Sequence, residues 1–424
     1  MLTLKLIQEN KEFVIERLAV KNKNVGETVE KIIEFDNQRR SFQNQSDNKL
    51  AELNKVSQEI GQLMKSGQKE EAEKAKQITV SLKEDIRILG QNLADTEKQL
   101  HDVLVTLPNL PHSSVPKGKT PEDNVIVRSG GPAIKEDDKM VPHWDLAKKY
   151  DIIDFDLGNK ITGAGFPVYK GKGAKFQRSL ISFFLDEATN AGFREVIPPY
   201  MVNEDSGFGT GQLPDKEGQM YHDATDNLYL IPTAEVPVTN IFRDVVLNES
   251  EFPVKYTAYS PCFRREAGSY GKEVRGLNRL HQFDKVEIVV VANPKDSYEQ
   301  LEKMVNHVEN LLLKLELPYR ILRLCGGDMS FTSALTYDFE VYSEAQKRWL
   351  EVSSVSNFES FQANRLKLRY KDEATKKNQL AHTLNGSALA LPRIVAALLE
   401  NNQTPDGIKV PEILLPYTGF KFID

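Results

Sequence analysis

At 424 residues the chain can bury a large core, and its length suits two to three domains, or one big domain with an appendage, not a small stapled fold. Lysine and arginine number 55 against 61 aspartates and glutamates, a net charge of −6 that carries no global signature of duplex binding and leaves any RNA contact to local patches. The two cysteines, Cys262 and Cys325, form no CxxC or CxxxH pattern, so neither a disulfide framework nor a zinc site is expected and a reducing cytoplasm fits.

The opening MLTLKLIQENKEF lacks the basic start and apolar run of a signal peptide, and no stretch approaches ~20 uninterrupted apolar residues, so a soluble protein is expected. Residues 27–107 are rich in Gln, Glu, Lys, Leu and Asn and contain no proline, a composition that favours long helix. A seven-residue phase puts Phe42, Leu53, Val56, Ile60 and Leu63 on the a and d positions of a first helix, with Ser46 and Lys49 as polar interruptions. Leu82, Ile86, Leu89, Leu93, Leu100, Val103 and Leu107 do the same on a second, interrupted by Thr96. Between them KSGQ is a turn signal at Ser66 and Gly67. Two helices of ~35 residues with apolar seams and a short connection should fold back as an antiparallel coiled-coil arm, each ~50 Å long.

LPNLPHSSVPKGKTPEDN, residues 107–124, concentrates proline and polar residues and marks a boundary between units at 1–108 and 109–424. Beyond it, helical signals recur at 174–191, 295–316 and 386–400. Strand-like runs are REVIPPYMV, KYTAYSPCF, HQFDKVEIVVVA, YDFEVYS and RWLEVSSVSNF. Strands in tandem edged by helices predict an α+β fold around an antiparallel sheet, not a doubly wound one. GxGxxG after a strand, GxxxxGK[ST], HExxH and GxSxG are all absent, so Rossmann, P-loop, zinc-protease and hydrolase readings lose support.

FRREAGSYGKEVRGLNRLHQFDKVE, residues 263–287, reads as a hairpin whose first strand ends near Glu266 and whose second begins near Arg279. Alternation along a strand then groups Arg264 with Glu266, and His281, Phe283, Lys285 and Glu287 with one another. A guanidinium can hold phosphate, an aromatic plane can stack on a base, and a carboxylate can accept from an exocyclic amine. Those are the three handles of a nucleotide.

This stretch resembles motif 2 of the seryl-tRNA synthetases, class II aminoacyl-tRNA synthetases. GFREVIPPYMVNEDSGFGTGQLP (192–214) resembles motif 1 with its following loop, TLNGSALALPRIVAALLENNQ (383–403) motif 3, and IPTAEVPV (231–238) the serine-binding TxE segment. The resemblance runs nearly end to end, including the helical hairpin and the closing VPEILLPYTGF. It implies that Arg264 holds the ATP α-phosphate, Glu266 the adenine amino group, Phe283 the adenine ring, and Arg393 the β- and γ-phosphates. Arg264 and Arg393 would thus be the catalytic pair, and Arg265 belongs to the implied ATP set. So do Glu351, Val352, Ser353 and Ser354, with Glu351 and Ser354 as the Mg²⁺ ligands. Thr233, Ala234, Glu235, Glu287 and Ser387 would line the serine pocket. The implied activity is attachment of L-serine to tRNA(Ser) through seryl-adenylate, extending to tRNA(Sec) where the host has one, by a homodimer built on motif 1. The helical arm would reach the long variable arm and elbow of the tRNA.

Motif 3 here carries Ala388 and Ala390 where many class II members have glycine, and Phe358, Ser360 and Asn364 also depart from many relatives. Two rivals are a ligase loading an amino acid onto a carrier protein and a non-catalytic homologue. A full helical arm speaks against the first, and retention of both motif arginines against the second.

Overall fold

The computed structural model describes residues 1–135, 137–215, 218–266 and 275–424; residues 267–274, AGSYGKEV of the expected hairpin, lie outside the described residues. Two compact units are present, Met1–Ala19 with Lys23–Pro108, and Val20–Asn22 with Asn109–Asp424. No described helix is long and apolar enough to cross a membrane.

The first unit contains α1 (Leu4–Glu9), most of α2 (Lys11–Val20), α3 (Gly26–Lys65) and α4 (Lys69–Leu104). Ser66 caps α3 by donating its backbone N–H to the carbonyls of Gln62 and Met64. Gly67 follows at φ +77°, a left-handed value that lets a three-residue link reverse the chain. The heptad phase is visible directly. Phe42, Ser46, Lys49, Leu53, Val56, Ile60 and Leu63 are sheltered, and every residue between them is exposed. The polar interruptions are satisfied: Lys49 pairs across to Asp85 at 3.2 Å, and the Thr96 hydroxyl donates to the Asn92 carbonyl at 2.7 Å. Asp36 on α3 is fully buried, pairs with Arg39 and Arg40 at 2.7 and 2.9 Å, and accepts from Gln8 of α1, tying the short helix to the long one. The second helix stops at Leu104, short of the predicted Leu107, because Pro108 disfavours helical backbone before it.

Among the described residues, the second unit is built on an eight-stranded sheet. Its strands are β1 (Val125–Gly130), β2 (Arg194–Glu195), β3 (Val254–Phe263) and β4 (Gln282–Ala292), then β5 (Tyr319–Arg323), β6 (Leu335–Ser343), β7 (Arg348–Asn357) and β8 (His382–Ala390). Their order is β1-β5-β6-β7-β8-β4-β3-β2, antiparallel throughout except for the parallel edge pair β2 and β3. The remaining helices used below are α5 (His143–Lys149), α6 (Phe155–Ile161), α7 (Gly171–Asn190), α8 (Glu204–Thr210) and α9 (Glu235–Asn240), with α10 (Ser297–Lys314), α11 (Ser360–Leu366) and α12 (Leu391–Asn401).

Strand β4 shows how the sheet divides the unit. Val286, Ile288, Val290 and Ala292 enter the main core with Phe176, Leu180, Phe183 and Phe184 of α7, Met304, Val308 and Leu311 of α10, and Ile394, Val395 and Leu398 of α12. The alternate residue Val289 turns the other way, onto Ala234 and Val238 at α9. That second face carries the polar residues of the candidate site.

Three expectations are corrected. The segment 386–400 is not one helix: residues 382–390 form β8, and α12 begins at Leu391 with Pro392 in its first turn. Small residues such as Gly386, Ser387 and Ala388 carry no period of their own, and pairing to β7 and β4 on either side makes them strand. REVIPPYMV is not one strand but two short ones, Arg194–Glu195 and Met201–Val202, because Pro198 and Pro199 cannot donate to a ladder. Arg264 and Glu266 are not alternate strand residues, since β3 ends at Phe263 and Glu266 sits at φ +49°.

Candidate active site

Strand register sets where the two arginines start. Phe263 lies opposite Gln282, and Ala390 lies opposite Lys285, so the chain leaves β3 and β8 on either side of the same end of β4. Arg264 follows one residue after Phe263, and Arg393 three residues after Ala390. The Arg264 guanidinium lies over the Phe283 ring, 5.1 Å from its centroid, and Nε donates to the Pro232 carbonyl at 3.3 Å. Arg265 lies over Tyr221 at 5.9 Å, and Glu266 pairs with Arg279.

Deeper along β4 is an acidic pocket. Glu287 is 1% exposed and spends both carboxylate oxygens: Oε1 accepts from Asn385 at 2.7 Å, and Oε2 accepts from the Thr233 hydroxyl at 3.1 Å and from the Lys285 ammonium at 2.7 Å. The Lys285–Glu287 contact demonstrates the shared face that alternation predicts. Thr233 also accepts the Glu235 backbone N–H at 3.2 Å, so the TAE segment, with Ala234 fully buried, wraps one hydroxyl. Glu235 is buried and accepts from Gln362 at 2.7 Å. Burial, then the neighbouring Glu287 charge, pushes its carboxyl up to about 7, although Gln362, Lys285 and Arg264 pull the other way. Ser387 lies opposite Glu287 in register, and its carbonyl accepts the Ser353 hydroxyl at 2.5 Å.

Arg393 is held by two carbonyls, Nε to Asn278 at 3.0 Å and Nη1 to Glu351 at 2.8 Å, and Nη1 lies 3.7 Å from the Glu351 carboxylate. Glu351 and Ser354 are three apart, which on a regular strand puts them on opposite faces. A β-bulge changes that. Phe339 pairs with Ser353 and Glu340 with Glu351, leaving Val352 unmatched, and both Glu351 and Ser354 then line one cavity. The cavity measures about 760 Å³ and continues over β5 and β6 past Asp338, Glu340 and Arg320. Of the predicted set its lining includes Glu351 and Ser354, whereas Thr233, Glu235 and Glu287 are not part of it and cluster where α9 meets β4.

These residues fit a hard divalent cation. Glu351 and Ser354 offer oxygen, and Asp338, bonded to Ser354, has a buried Oδ1 without a hydrogen-bond partner. Burial and the Glu351 charge push the Asp338 carboxyl well above its usual range, an environment that a cation relieves. Among the described residues no group of three or more His, Cys, Asp or Glu is placed to hold a metal ion by itself.

A family profile for the seryl-tRNA synthetase N-terminal domain matches residues 1–111, and one for the tRNA synthetase class II core domain (G, H, P, S and T) matches residues 219–402. The serine–tRNA ligase of Salinibacter ruber is 49% identical over 99% of this chain and 98% of its own. The chain belongs to the seryl-tRNA synthetase family. The Chlorobaculum parvum serine–tRNA ligase is 45% identical over the full length of both. The crystal structure of seryl-tRNA synthetase from Pyrococcus horikoshii complexed with ATP matches with a TM-score of 0.92, at 35% identity over 99% of each chain. A class II synthetase core with an N-terminal helical hairpin is therefore the architecture.

Within this family member, three residues that sequence reasoning gave no role complete the pocket. Lys285 had a signal, two residues before Glu287 on the same strand face. So did Asn385, two before Ser387. Gln362 had none: it comes from α11, donates to Glu235 and the Thr210 carbonyl, and accepts the Thr383 hydroxyl, contacts that only the folded chain creates.

Proposed function

We propose that the protein is an ATP-dependent serine–tRNA ligase that forms seryl-adenylate and transfers serine to the terminal adenosine of tRNA(Ser), and of tRNA(Sec) where the host has one. The observation that carries this reading is the buried Thr233–Glu235–Glu287 pocket beside Arg264, because serine presents an ammonium and a hydroxyl, both donors, to groups that accept.

The first step needs no catalytic base. A free amino acid carboxylate has a reference pKa of about 3.5, so it is already ionised at neutral pH. Its oxygen attacks the α-phosphorus of ATP, the bond to the bridging oxygen breaks, and pyrophosphate leaves with the electron pair. Arg264, braced on Phe283, meets the charge that builds on the α-phosphoryl oxygens. Arg393, braced on two carbonyls, meets the departing β- and γ-phosphates. Glu351 and Ser354 would hold Mg²⁺, which supplies charge neutralisation to those phosphates. Phe283 offers a ring for adenine and Glu266 an acceptor for its amine once Arg279 yields. In the second step a terminal ribose hydroxyl of tRNA attacks the seryl carbonyl and AMP leaves.

Serine-dependent ATP–pyrophosphate exchange across all twenty amino acids tests the reading. Serine should be favoured over alanine by ~10⁴ in kcat/KM, since a missing hydroxyl leaves buried polar groups unpaired, and threonine should be excluded by shape. Exchange with a different amino acid, and none with serine, would overturn the assignment.

Glu235 gives that exchange a pH signature. With its carboxyl at about 7, the pocket loses one negative charge as pH falls through neutrality, and the substrate ammonium loses a partner. The serine KM should rise by up to ~10-fold per unit below pH 7 and level off above pH 8. Glu235→Gln should remove that slope while raising KM throughout, read from exchange rates between pH 6 and 8.5.

The unit over residues 1–108 would bind tRNA, and 109–424 would perform the chemistry, in the cytoplasm. A homodimer is supported by the edge position of β2 and by Ile197 just after it, an isoleucine left 83% exposed.

A further inference from the structure

We propose that His143 is a positioning residue that aims Arg393, acting through the strap of residues 275–281 and never touching substrate; this rests on the ligase reading above. The strap leads into β4, and α12 grips it at two points. Arg393 lies in the first turn of α12 and Glu400 seven residues later, so both project from the same side of the helix. Arg393 Nε takes the Asn278 carbonyl of the strap directly, at 3.0 Å. Glu400 takes it at one remove. Its Oε1 accepts from His143 Nδ1 at 2.6 Å and from the His143 backbone N–H at 2.9 Å, while the opposite ring nitrogen, Nε2, accepts the Leu277 N–H at 2.8 Å.

The donors assign the tautomer. A backbone N–H can only donate, so Nε2 carries the lone pair and Nδ1 the proton given to Glu400. Both side chains are fully buried, where an unpaired group is costly. Ser343 donates to Glu400 Oε2, and Gln346 bridges Glu400 to the strap: its Nε2 donates to Oε1 at 3.0 Å, and its Oε1 accepts from Asn278 Nδ2 at 2.9 Å. The backbone is shaped for this contact. Gly276 sits at φ +68°, and a Cβ there would lie 2.2 Å from His143 Nε2, so no other residue lets the strap approach the ring.

Asn278 therefore sits between two fixed points, the His143–Glu400–Gln346 cluster behind it and the Arg393 guanidinium in front. With Nε and Nη1 bonded to carbonyls, the direction of the guanidinium fork is set by where the strap and Glu351 place those oxygens. A displacement of ~1 Å at such a group costs up to ~10²-fold in rate, because the phosphate it must meet is placed independently.

The test is serine-dependent ATP–pyrophosphate exchange on the full chain. His143→Ala should raise the ATP KM and lower kcat by ~10-fold or more, leaving the serine KM within ~2-fold, because the serine pocket shares none of these bonds. His143→Gln, whose side-chain oxygen can take the Leu277 N–H, should recover part of the loss. Gln346→Ala, at a half-buried position, should shift ATP parameters in the same direction without opening a core void, and serves if His143→Ala does not fold. The deciding readout is coupling. In an Arg393→Lys background, which keeps the charge but lacks the Nε that meets Asn278, His143→Ala should cost less than ~2-fold. Full additivity of the two changes, equal shifts in serine and ATP KM, or wild-type kinetics in a folded His143→Ala protein would each overturn the proposal. Absence of exchange in the unmodified protein would instead sink the ligase reading itself, and this inference with it.

Discussion

Replacing Arg264 with alanine is expected to lower serine-dependent ATP–pyrophosphate exchange by ~10³-fold or more while the protein stays folded. The guanidinium is held over Phe283 and against the Pro232 carbonyl, so its orientation is set before substrate arrives. Preorganised charge of this kind acts on what develops in the transition state, and two neighbouring cations among the described residues are already engaged: Lys285 is committed to Glu287, and Arg265 lies over Tyr221. Arg264→Lys should recover little, because an ammonium lacks the planar fork that spans two phosphoryl oxygens. The structural cost is small by comparison, about 1 kcal/mol for the lost cation–π contact. Exchange kinetics alongside a thermal melt separate the two effects, and a loss under ~10-fold in a folded variant would show that this arginine does not meet the α-phosphate.

Shortening the helical hairpin should have an equally large effect on the other half-reaction. Lys49 lies across from Asp85, so Phe42 and Asn92 come abreast, and residues 43–91 can be replaced by a short Gly-Ser turn without disturbing the base of the unit. That base holds the well-buried contacts, among them Ile7, Val29, Ile32, Leu100 and Leu104, whereas the excised part is a thin seam with exposed flanks. The shortened protein should exchange pyrophosphate within ~2-fold of normal, because the second unit has its own core, yet aminoacylate serine tRNA at least ~10²-fold more slowly. Charging at the normal rate would reduce the hairpin to a strut. The hairpin's charges are mixed, so the loss should appear as recognition of one tRNA shape, with only modest salt dependence.

Local periodicity made several features legible before any tertiary contact was known. The heptad seam from Phe42 to Leu63 and its return from Leu82 to Leu100 depend only on which residues share a helix face; burial follows it residue by residue on α3, and on α4 the sheltered stripe widens to take in Asp85 and Asn92. The Lys285–Glu287 pair follows in the same way from strand alternation, and the ordered motif blocks carried the family assignment. Such signals survive in a bare sequence because they need nothing beyond the geometry of one element.

Where two or more segments had to meet, sequence was silent or misleading. Strand β8 reads as the start of a helix, since Gly386, Ser387 and Ala388 have no pattern until β4 and β7 flank them. Glu351 and Ser354 stand at a spacing that a regular strand would split between two faces, and an unmatched Val352 reunites them. Gln362 on Glu235, and His143 on Leu277, join residues more than a hundred positions apart. The sequence by itself thus determined the helical arm, the antiparallel class of the core and the residue types able to bind a nucleotide and an amino acid, because these follow from short-range period and motif order. Only the tertiary structure decided the bulge, the burial of Glu235 against Gln362 and the strap behind Arg393, because register shifts and buried polar networks are set by many distant contacts satisfied at once.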